Sequence, residues 1–288
     1  MRSVVITGSS SGIGRACALT LDRNGFRVFA GVRKSADGDA LRGAASAWLT
    51  PVHVDVTDPA SIATMAEYVA SDVGEAGLDG LVNNAGTTLP SPIEYLPLAS
   101  FRHQLEVNLV GPLAVTQAML PMLRRAHGSV VNVTSVAGKA GVPLMAPYVA
   151  AKHALEGLSD VMRLEFRQLG IRVAVIEPGF VGTAMGGKLQ SDTEAAIGAL
   201  PDGEGRQRYG PQLATVADTI SRHAATGSPP EVVADAVLHA LTNGRPRTRY
   251  PSGAGAKRLL FMRRLLPDRR FDRIVLQASG LASGPRSR

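Results

Sequence analysis

Ser3-Val-Val-Ile-Thr7 is a short β-branched run that passes at once into Gly8, Gly12 and Gly14 before a helical pattern opens at Arg15. Such residues suit a buried strand, and a strand that turns straight into a helix is the opening unit of an α/β sheet. The glycines add a chemical constraint. Gly8 permits the tight turn, while Gly12 and Gly14 let the backbone approach a phosphate and let the helix pack on the sheet. The N-terminus of that helix offers free N–H groups and a partial positive charge to a dinucleotide pyrophosphate. Ser10 and Ile13 lie in the same turn and count with Gly8, Gly12 and Gly14 as cofactor-binding positions. The Gly-x3-Gly-x-Gly spacing departs from the Gly-x-Gly-x2-Gly fingerprint, so the strand, turn and helix context carries the reading. Gly8-Ser9-Ser10-Ser11-Gly12 also fits the nucleophile elbow of hydrolases, but that elbow follows several strands and here one strand precedes it.

The rest of the chain repeats the alternation. Strands are expected at 3–7, 26–32, 52–55, 78–83, 129–134, 171–176 and 246–251. Helices are expected near 12–24, 59–74, 98–126, 148–169, 231–243 and 256–278. This pattern predicts the α/β class, a doubly wound parallel sheet of about seven strands with helices on both faces. A length of 288 residues suits one large domain. The expected division is a catalytic domain over 1–252 and a basic amphipathic extension over 253–288. Residues 182–230 form the most irregular stretch, rich in Gly, Pro, Asp and Glu, with Met185, Leu189, Tyr209 and Ile220 among them. Mobile polar residues mixed with apolar ones suit a lid over a greasy substrate.

Residues 129–134 read as a buried strand ending at Ser135, and Tyr148-Val-Ala-Ala-Lys152 opens a helix after a Gly/Ala-rich loop. Four residues apart, Tyr148 and Lys152 share a helix face. A free phenol has a pKa of about 10 and is a poor base near neutrality. A neighbouring ammonium favours the phenolate and lowers that value. A Tyr tuned in this way takes a proton from an alcohol or returns it to a carbonyl oxygen, and the Ser135 hydroxyl polarises that oxygen. The glycine turn, Ser135 and the Tyr148/Lys152 pair together imply hydride transfer between a nicotinamide and an alcohol or ketone.

On these motifs the chain resembles the short-chain dehydrogenase/reductase family over roughly residues 2–185. The resemblance implies a Rossmann-type sheet and assigns roles. Thr7-Gly8-x3-Gly12-x-Gly14 matches the family's cofactor turn, and Asn84, Ala85 and Gly86, in Asn83-Asn84-Ala85-Gly86, match the signature backing the adenosine pocket. Asn108 sits where the family keeps an Asn that kinks a helix and carries a proton relay from the Lys. Ser135, Tyr148 and Lys152 match the active-site Ser, Tyr and Lys, with the last two also touching cofactor. Pro178, Gly179, Val181 and Thr183 match the segment that holds the nicotinamide carboxamide, and Asp55 with Val56 matches the adenine contact. The second strand and Lys152-His-Ala-Leu-Glu-Gly157 resemble the hydroxysteroid and retinol dehydrogenase branch, which implies a bulky apolar substrate. A 3-oxoacyl thioester reductase of the same family is the alternative substrate reading, and a non-catalytic nicotinamide-binding regulator the alternative class. The family also implies a homodimer or homotetramer that pairs the helices near 98–126 and 148–169.

Cofactor choice rests on the end of the second strand. An acidic residue there binds the ribose 2′-hydroxyl of NAD, whereas an Arg nearby accommodates the 2′-phosphate of NADP. Val32 occupies the acidic position, Arg33 follows, and no carboxylate comes before Asp37. The planar guanidinium of Arg33 pairs with a phosphate, and the Ser10 hydroxyl stands ready to add to it. NADP(H) is therefore favoured over NAD(H).

The net charge of +7 is unevenly placed. Residues 245–288 hold twelve basic and two acidic groups, leaving nineteen basic and twenty-two acidic groups in 1–244. Residues 257–276 alternate apolar and basic groups at helical spacing, and Pro267 divides them into two short helices. Docking on the chain's own domain or on a neighbouring subunit is the favoured reading of this extension, with a weak membrane-surface contact as the alternative. No nucleic-acid-binding motif is present, and nucleic acid is not an expected partner. The six histidines show no ligand spacing, so no metal site is expected. The lone Cys17 excludes an internal disulfide and suits a reducing cytoplasm. The first strand begins at once, leaving no room for a signal peptide, and a cytoplasmic location is expected.

Overall fold

The structure is a computed structural model that describes residues 1–183 and 185–281. Residue 184 of the irregular stretch, the side chain of Met185 and residues 282–288 of the basic extension lie outside the described residues. In chain order the first half comprises β1 (Arg2–Ile6), α1 (Gly12–Arg23), β2 (Phe26–Val32), α2 (Ser35–Arg42), β3 (Leu49–His53), α3 (Pro59–Val73), β4 (Gly80–Asn83), α4 (Leu98–Leu105) and α5 (Gly111–Ala126). The second half comprises β5 (Ser129–Val133), α6 (Ala146–Glu165), β6 (Arg172–Pro178), α7 (Met185–Gly198), α8 (Glu204–Ala225), α9 (Glu231–Thr242), β7 (Arg249–Ser252), α10 (Ala256–Leu265) and α11 (Asp268–Ala278).

The seven strands form one sheet in the order β3-β2-β1-β4-β5-β6-β7, and every neighbouring pair is parallel. Successive side chains of a strand point to opposite faces. In β1, Val4 and Ile6 enter a core shared with Cys17 and Leu21 of α1 and with Val233 and Val237 of α9. Val5 enters the opposite core with Met65 of α3, Met119 of α5 and Met162 of α6. Each fully buried aliphatic side chain of this kind contributes about 1.5–3 kcal/mol. The chain proceeds outward from β1 through β2 to β3 and then returns to β4 on the other side of β1. This reversal opens a crevice at the carboxyl ends of β1 and β4, the place where doubly wound sheets bind ligands.

Four elements differ from the sequence expectation. β3 is Leu49–His53 rather than 52–55, because an edge strand tolerates Pro51 in its middle. α2 carries no apolar period, since only Gly38 and Leu41 are buried along it. The helix expected over 98–126 is interrupted by a π turn at Glu106–Val110. Most of residues 182–230 is regular: α7 and α8 fill it, and α8 accommodates Gly205, Gly210 and Pro211 within 22 residues. Burial of Leu213, Val216 and Ala217 overrides the poor local propensity there. The extension forms two helices divided at Pro267, and Phe271 of α11 is buried. Arg263 Nε donates to the carbonyl of Lys139 at 3.2 Å, which ties α10 to the loop after β5.

Candidate active site

The glycine turn is held from both sides. Gly8 and Gly12 have positive φ angles of 69° and 53°, a conformation that L side chains rarely adopt. A Cβ on Gly8 would lie 2.7 Å from Ala85 Cα, and one on Gly14 would lie 2.1 Å from the Gly8 carbonyl oxygen. The glycines at 8 and 14 are thus required by the protein's own backbone. Thr7 Oγ1 accepts from the N–H groups of Asn84 and Ala85 at 3.1 and 3.0 Å. Asn84 Nδ2 donates to the carbonyls of Thr7 and Gly8, each at 3.0 Å. The side chain of Ser11, at the N-cap of α1, makes no capping bond, and the first turn holds no acidic residue. The free N–H groups of that turn therefore fit an anionic pyrophosphate. Ser10 is exposed and Ile13 half-buried beside them.

Arg33 is exposed just past β2, and its charge acts on Asp55. The Asp55 carboxyl is held below its ordinary value by hydrogen bonds from the Thr57 backbone and hydroxyl. Val56 is buried behind it. On the other side of the crevice, Thr183 reaches the turn: a Cβ on Gly12 would lie 3.1 Å from Thr183 Cβ. Gly179 is required by the loop after β7, since its Cβ would lie 2.3 Å from the Ala254 carbonyl oxygen. Pro178 and Val181 are buried.

Ser135, Asn108, Tyr148 and Lys152 converge at the ends of β4 and β5. Asn108 is fully buried in the π turn. Its Nδ2 donates to the carbonyls of Thr87 and Gln104 at 3.0 and 3.1 Å, and its Oδ1 accepts from Thr87 N–H at 3.1 Å. Gly86 separates it from Lys152: a Cβ there would lie 2.8 Å from Asn108 Oδ1 and 3.8 Å from Lys152 Nζ. Lys152 is 5 % exposed, and its Nζ donates to the Val133 carbonyl at 2.9 Å. Its ammonium lies 5.8 Å from the centre of the Tyr148 ring. Burial pushes Lys152 down to about 8, and the Glu156 carboxylate acts against that shift.

Burial pushes the Tyr148 phenol above its ordinary value, and the Ser135 hydroxyl acts in the lowering direction. This corrects the expectation that the Lys152 ammonium lowers it: Lys152 lies over the ring face, and desolvation outweighs the influence of Ser135. The group is poised as a proton donor, which suits protonation of a carbonyl oxygen as it is reduced.

Several functional neighbours carried no sequence signal. Leu144 has a positive φ of 64° in the loop between Ser135 and Tyr148, where its carbonyl accepts from Ser91 N–H at 2.7 Å. Behind Lys152, the buried carboxylate of Glu156 pairs with the half-buried Lys139 and Arg249. Beside Tyr148, Met145 and Val149 form an apolar wall with Leu189 of α7 and Ala217 and Ile220 of α8. A separate cleft of about 720 Å³ opens beside Gly12 and Thr183, between α1 and the adjoining ends of α8 and α9. Arg15, Arg23 and Glu231 line it, none of the Ser135, Tyr148 and Lys152 group does, and so it is not the catalytic pocket.

Residues 2–194 match the short chain dehydrogenase family. The chain is 40% identical over 259 residues to retinol dehydrogenase 16 of Mus musculus, a match covering 88% of this chain and 81% of that protein. It is 35% identical over 280 residues to 17-beta-hydroxysteroid dehydrogenase type 6 of Homo sapiens, covering 96% and 88% respectively. A short-chain dehydrogenase from Streptomyces avermitilis shares the fold with a TM-score of 0.75 and 27% identity, over 98% of each chain. The chain belongs to the short-chain dehydrogenase/reductase family, in its retinol and hydroxysteroid dehydrogenase branch, and is an oxidoreductase acting on hydroxyl or carbonyl groups.

Proposed function

We propose that this protein is an NADP(H)-preferring reductase that interconverts a bulky apolar ketone, steroid- or retinoid-like in shape, with its alcohol. The observation that carries the substrate class is the apolar wall of Met145, Val149, Leu189, Ala217 and Ile220 beside Tyr148. Residues 182–230 act as the lid, with α7 and α8 supplying Leu189, Ala217 and Ile220 of that wall. The names of the retinol and hydroxysteroid relatives support the same class. The absence of a carboxylate at the end of β2, where Val32 stands with Arg33 exposed next to it, supports NADP(H).

A bound nicotinamide supplies or accepts the hydride. The protein's groups manage the oxygen and its proton. Ser135 orients the carbonyl oxygen toward the Tyr148 hydroxyl, and Tyr148 gives that oxygen a proton during reduction or removes it during oxidation. Lys152 holds the nicotinamide ribose and keeps positive charge beneath the Tyr148 ring. Asn108, fixed between Thr87 and Gln104, anchors the relay that returns a proton from solvent. Gly8, Ser10, Gly12, Ile13 and Gly14 hold the pyrophosphate side, Asp55, Val56, Asn84, Ala85 and Gly86 the adenosine side, and Pro178, Gly179, Val181 and Thr183 the carboxamide.

The protein acts in the cytoplasm as a homodimer or homotetramer. Exposed Val161 and Leu164 on α6 and Val110 beside α5 support pairing through those helices. Among the described residues no helix is long and apolar enough to cross a membrane. Phe261 and Leu265, exposed beside Arg258 and Arg264, support a weak membrane-surface contact.

The test is fluorescence titration of NADPH and NADH into the wild type and Arg33→Ala, followed by a panel of steroid and retinoid ketones. NADPH is expected to bind at least about tenfold tighter, a gap of about 1.4 kcal/mol that Arg33→Ala erases. Equal or tighter NADH binding overturns the cofactor preference. Turnover of 3-oxoacyl thioesters in place of the panel overturns the substrate class.

A further inference from the structure

Behind the Tyr148/Lys152 pair lies a group of charged side chains that the proton chemistry above does not use. Glu156 follows Lys152 by one helical turn on the buried face of α6 and is 2 % exposed. Its Oε1 accepts from Thr134 Oγ1 at 2.7 Å, next to Ser135. Its Oε2 accepts from Lys139 Nζ at 2.9 Å, at the end of the short turn that Ser135 begins. The same oxygen accepts from Arg249 Nε of edge strand β7 at 3.1 Å. Gly138 brings the turn close enough for this, because a Cβ there would lie 3.0 Å from both Glu156 Cγ and the Lys152 carbonyl oxygen. Beyond Glu156, Arg249 Nη2 donates to Asp160 Oδ2 at 2.8 Å and Nε lies 3.9 Å from Glu177 Oε1 of β6. Arg163 closes the group on Asp160 at 3.1 Å.

One carboxylate thus bonds the strand end before Ser135, the turn after it and the sheet edge, all from the helix that carries Tyr148 and Lys152. A buried ammonium whose protein partner is a single carbonyl is costly to keep charged, and an anion one turn away offsets that cost. We propose that Glu156 is a positioning residue of the active site: its buried carboxylate fixes the Ser135 turn against the Tyr148 helix and holds Lys152 in its charged form. Lys139 and Arg249, bonded to the same carboxylate, set how much of its charge reaches Lys152. The groups facing the pair are Asp160 and Arg163 from α6, Thr134 and Lys139 around Ser135, Glu177 from β6, Arg249 from β7 and Asn108 from the π turn. The coupling bears on turnover through the reading of Tyr148 and Lys152 as the reacting pair.

The experiment is a pH titration of the full chain labelled with 13C at lysine Cε, followed by NMR without substrate or cofactor. Lys152 is one of five lysines, and Lys152→Arg assigns its signal. Glu156→Gln keeps the bond from Thr134 and removes the charge, and it lowers the Lys152 midpoint by about one pH unit. Lys139→Gln removes a cation from the same carboxylate and raises the midpoint. Opposite shifts separate electrostatic coupling from a general loosening of the helix, which moves both the same way. Unchanged midpoints, or shifts of one sign, overturn the proposal. Where Glu156→Gln does not fold, Lys139→Gln decides alone: a rise supports the coupling and no change overturns it. Opposite shifts in a protein that turns over no ketone or alcohol would sink the assignment of the reacting pair and leave the Glu156–Lys152 coupling standing.

Discussion

Asn84 grips Thr7 through both its backbone and its side chain, the N–H donating to Thr7 Oγ1 at 3.1 Å and Nδ2 donating to the Thr7 carbonyl at 3.0 Å. Ala85 N–H adds a second bond to the same hydroxyl at 3.0 Å. The threonine therefore locks the glycine turn after β1 to the loop after β4, and the crevice between them is built before any ligand arrives. Thr7→Val keeps the shape and strands two donors, at a cost of about 2 kcal/mol. Urea denaturation reads the loss directly, and NADPH titration reads the looser crevice. Unchanged stability would mean that the turn holds its shape without Thr7.

Gly14 and Gly157 make a paired test of which glycines matter. A Cβ at 14 would meet the Gly8 carbonyl oxygen at 2.1 Å and Asn84 Nδ2 at 2.4 Å. Backbone cannot step aside cheaply, so Gly14→Ala distorts the turn at a cost of about 1–3 kcal/mol and abolishes cofactor binding. Gly157 lies inside α6 with nothing within 4 Å of its virtual Cβ. Gly157→Ala there raises helix propensity and stabilises by up to about 1 kcal/mol. Calorimetry beside NADPH titration distinguishes the two, and equal behaviour would refute the packing account.

The sheet was legible because β1, β5 and β6 are rich in β-branched residues and β2 in apolar ones, all largely buried on both faces, and the glycine turn marked where α1 begins. The candidate site residues could be singled out because Ser135 ends a strand run and Tyr148 and Lys152 share one face of a helix. What escaped was set by tertiary contacts. α8 holds Gly205, Gly210 and Pro211, and only the packing of Leu213, Val216 and Ala217 makes it a helix. The raised phenol of Tyr148 follows from burial, which the spacing of Tyr148 and Lys152 does not reveal. Arg249 stands 93 residues from Glu156 and meets it only once β7 is laid beside β6.

Glu177 gives the fold a pH dependence of definite sign. Burial, with Glu156 and Asp160 adding repulsion against the help of Arg249 and Lys139, pushes its carboxyl from 4.5 up to about 7. The folded chain thus binds a proton more tightly than the unfolded chain does. Its stabilisation is fully present below pH 4.5 and is lost as pH rises through about 7. The loss is on the order of 3 kcal/mol. Glu177→Gln removes the slope, matching the wild type near pH 4.5 and exceeding it above pH 7. Melting temperatures across that range decide the matter, and parallel curves for the two proteins would refute it.

Tyr148→Phe separates proton chemistry from binding. The ring still fills its place in the apolar wall, so NADPH affinity stays within about twofold. The proton donor is gone, and kcat falls by about 10²–10⁴-fold. The pH profile of the wild type carries the sign of the raised phenol. Reduction requires the protonated phenol, which burial favours, and so holds through neutral pH. Oxidation requires the phenolate and climbs as pH rises. Steady-state rates in both directions, measured from pH 6 to 10, check this. An oxidation rate already flat from pH 6 would mean that the phenol is lowered rather than raised, and that Lys152 dominates Tyr148 after all.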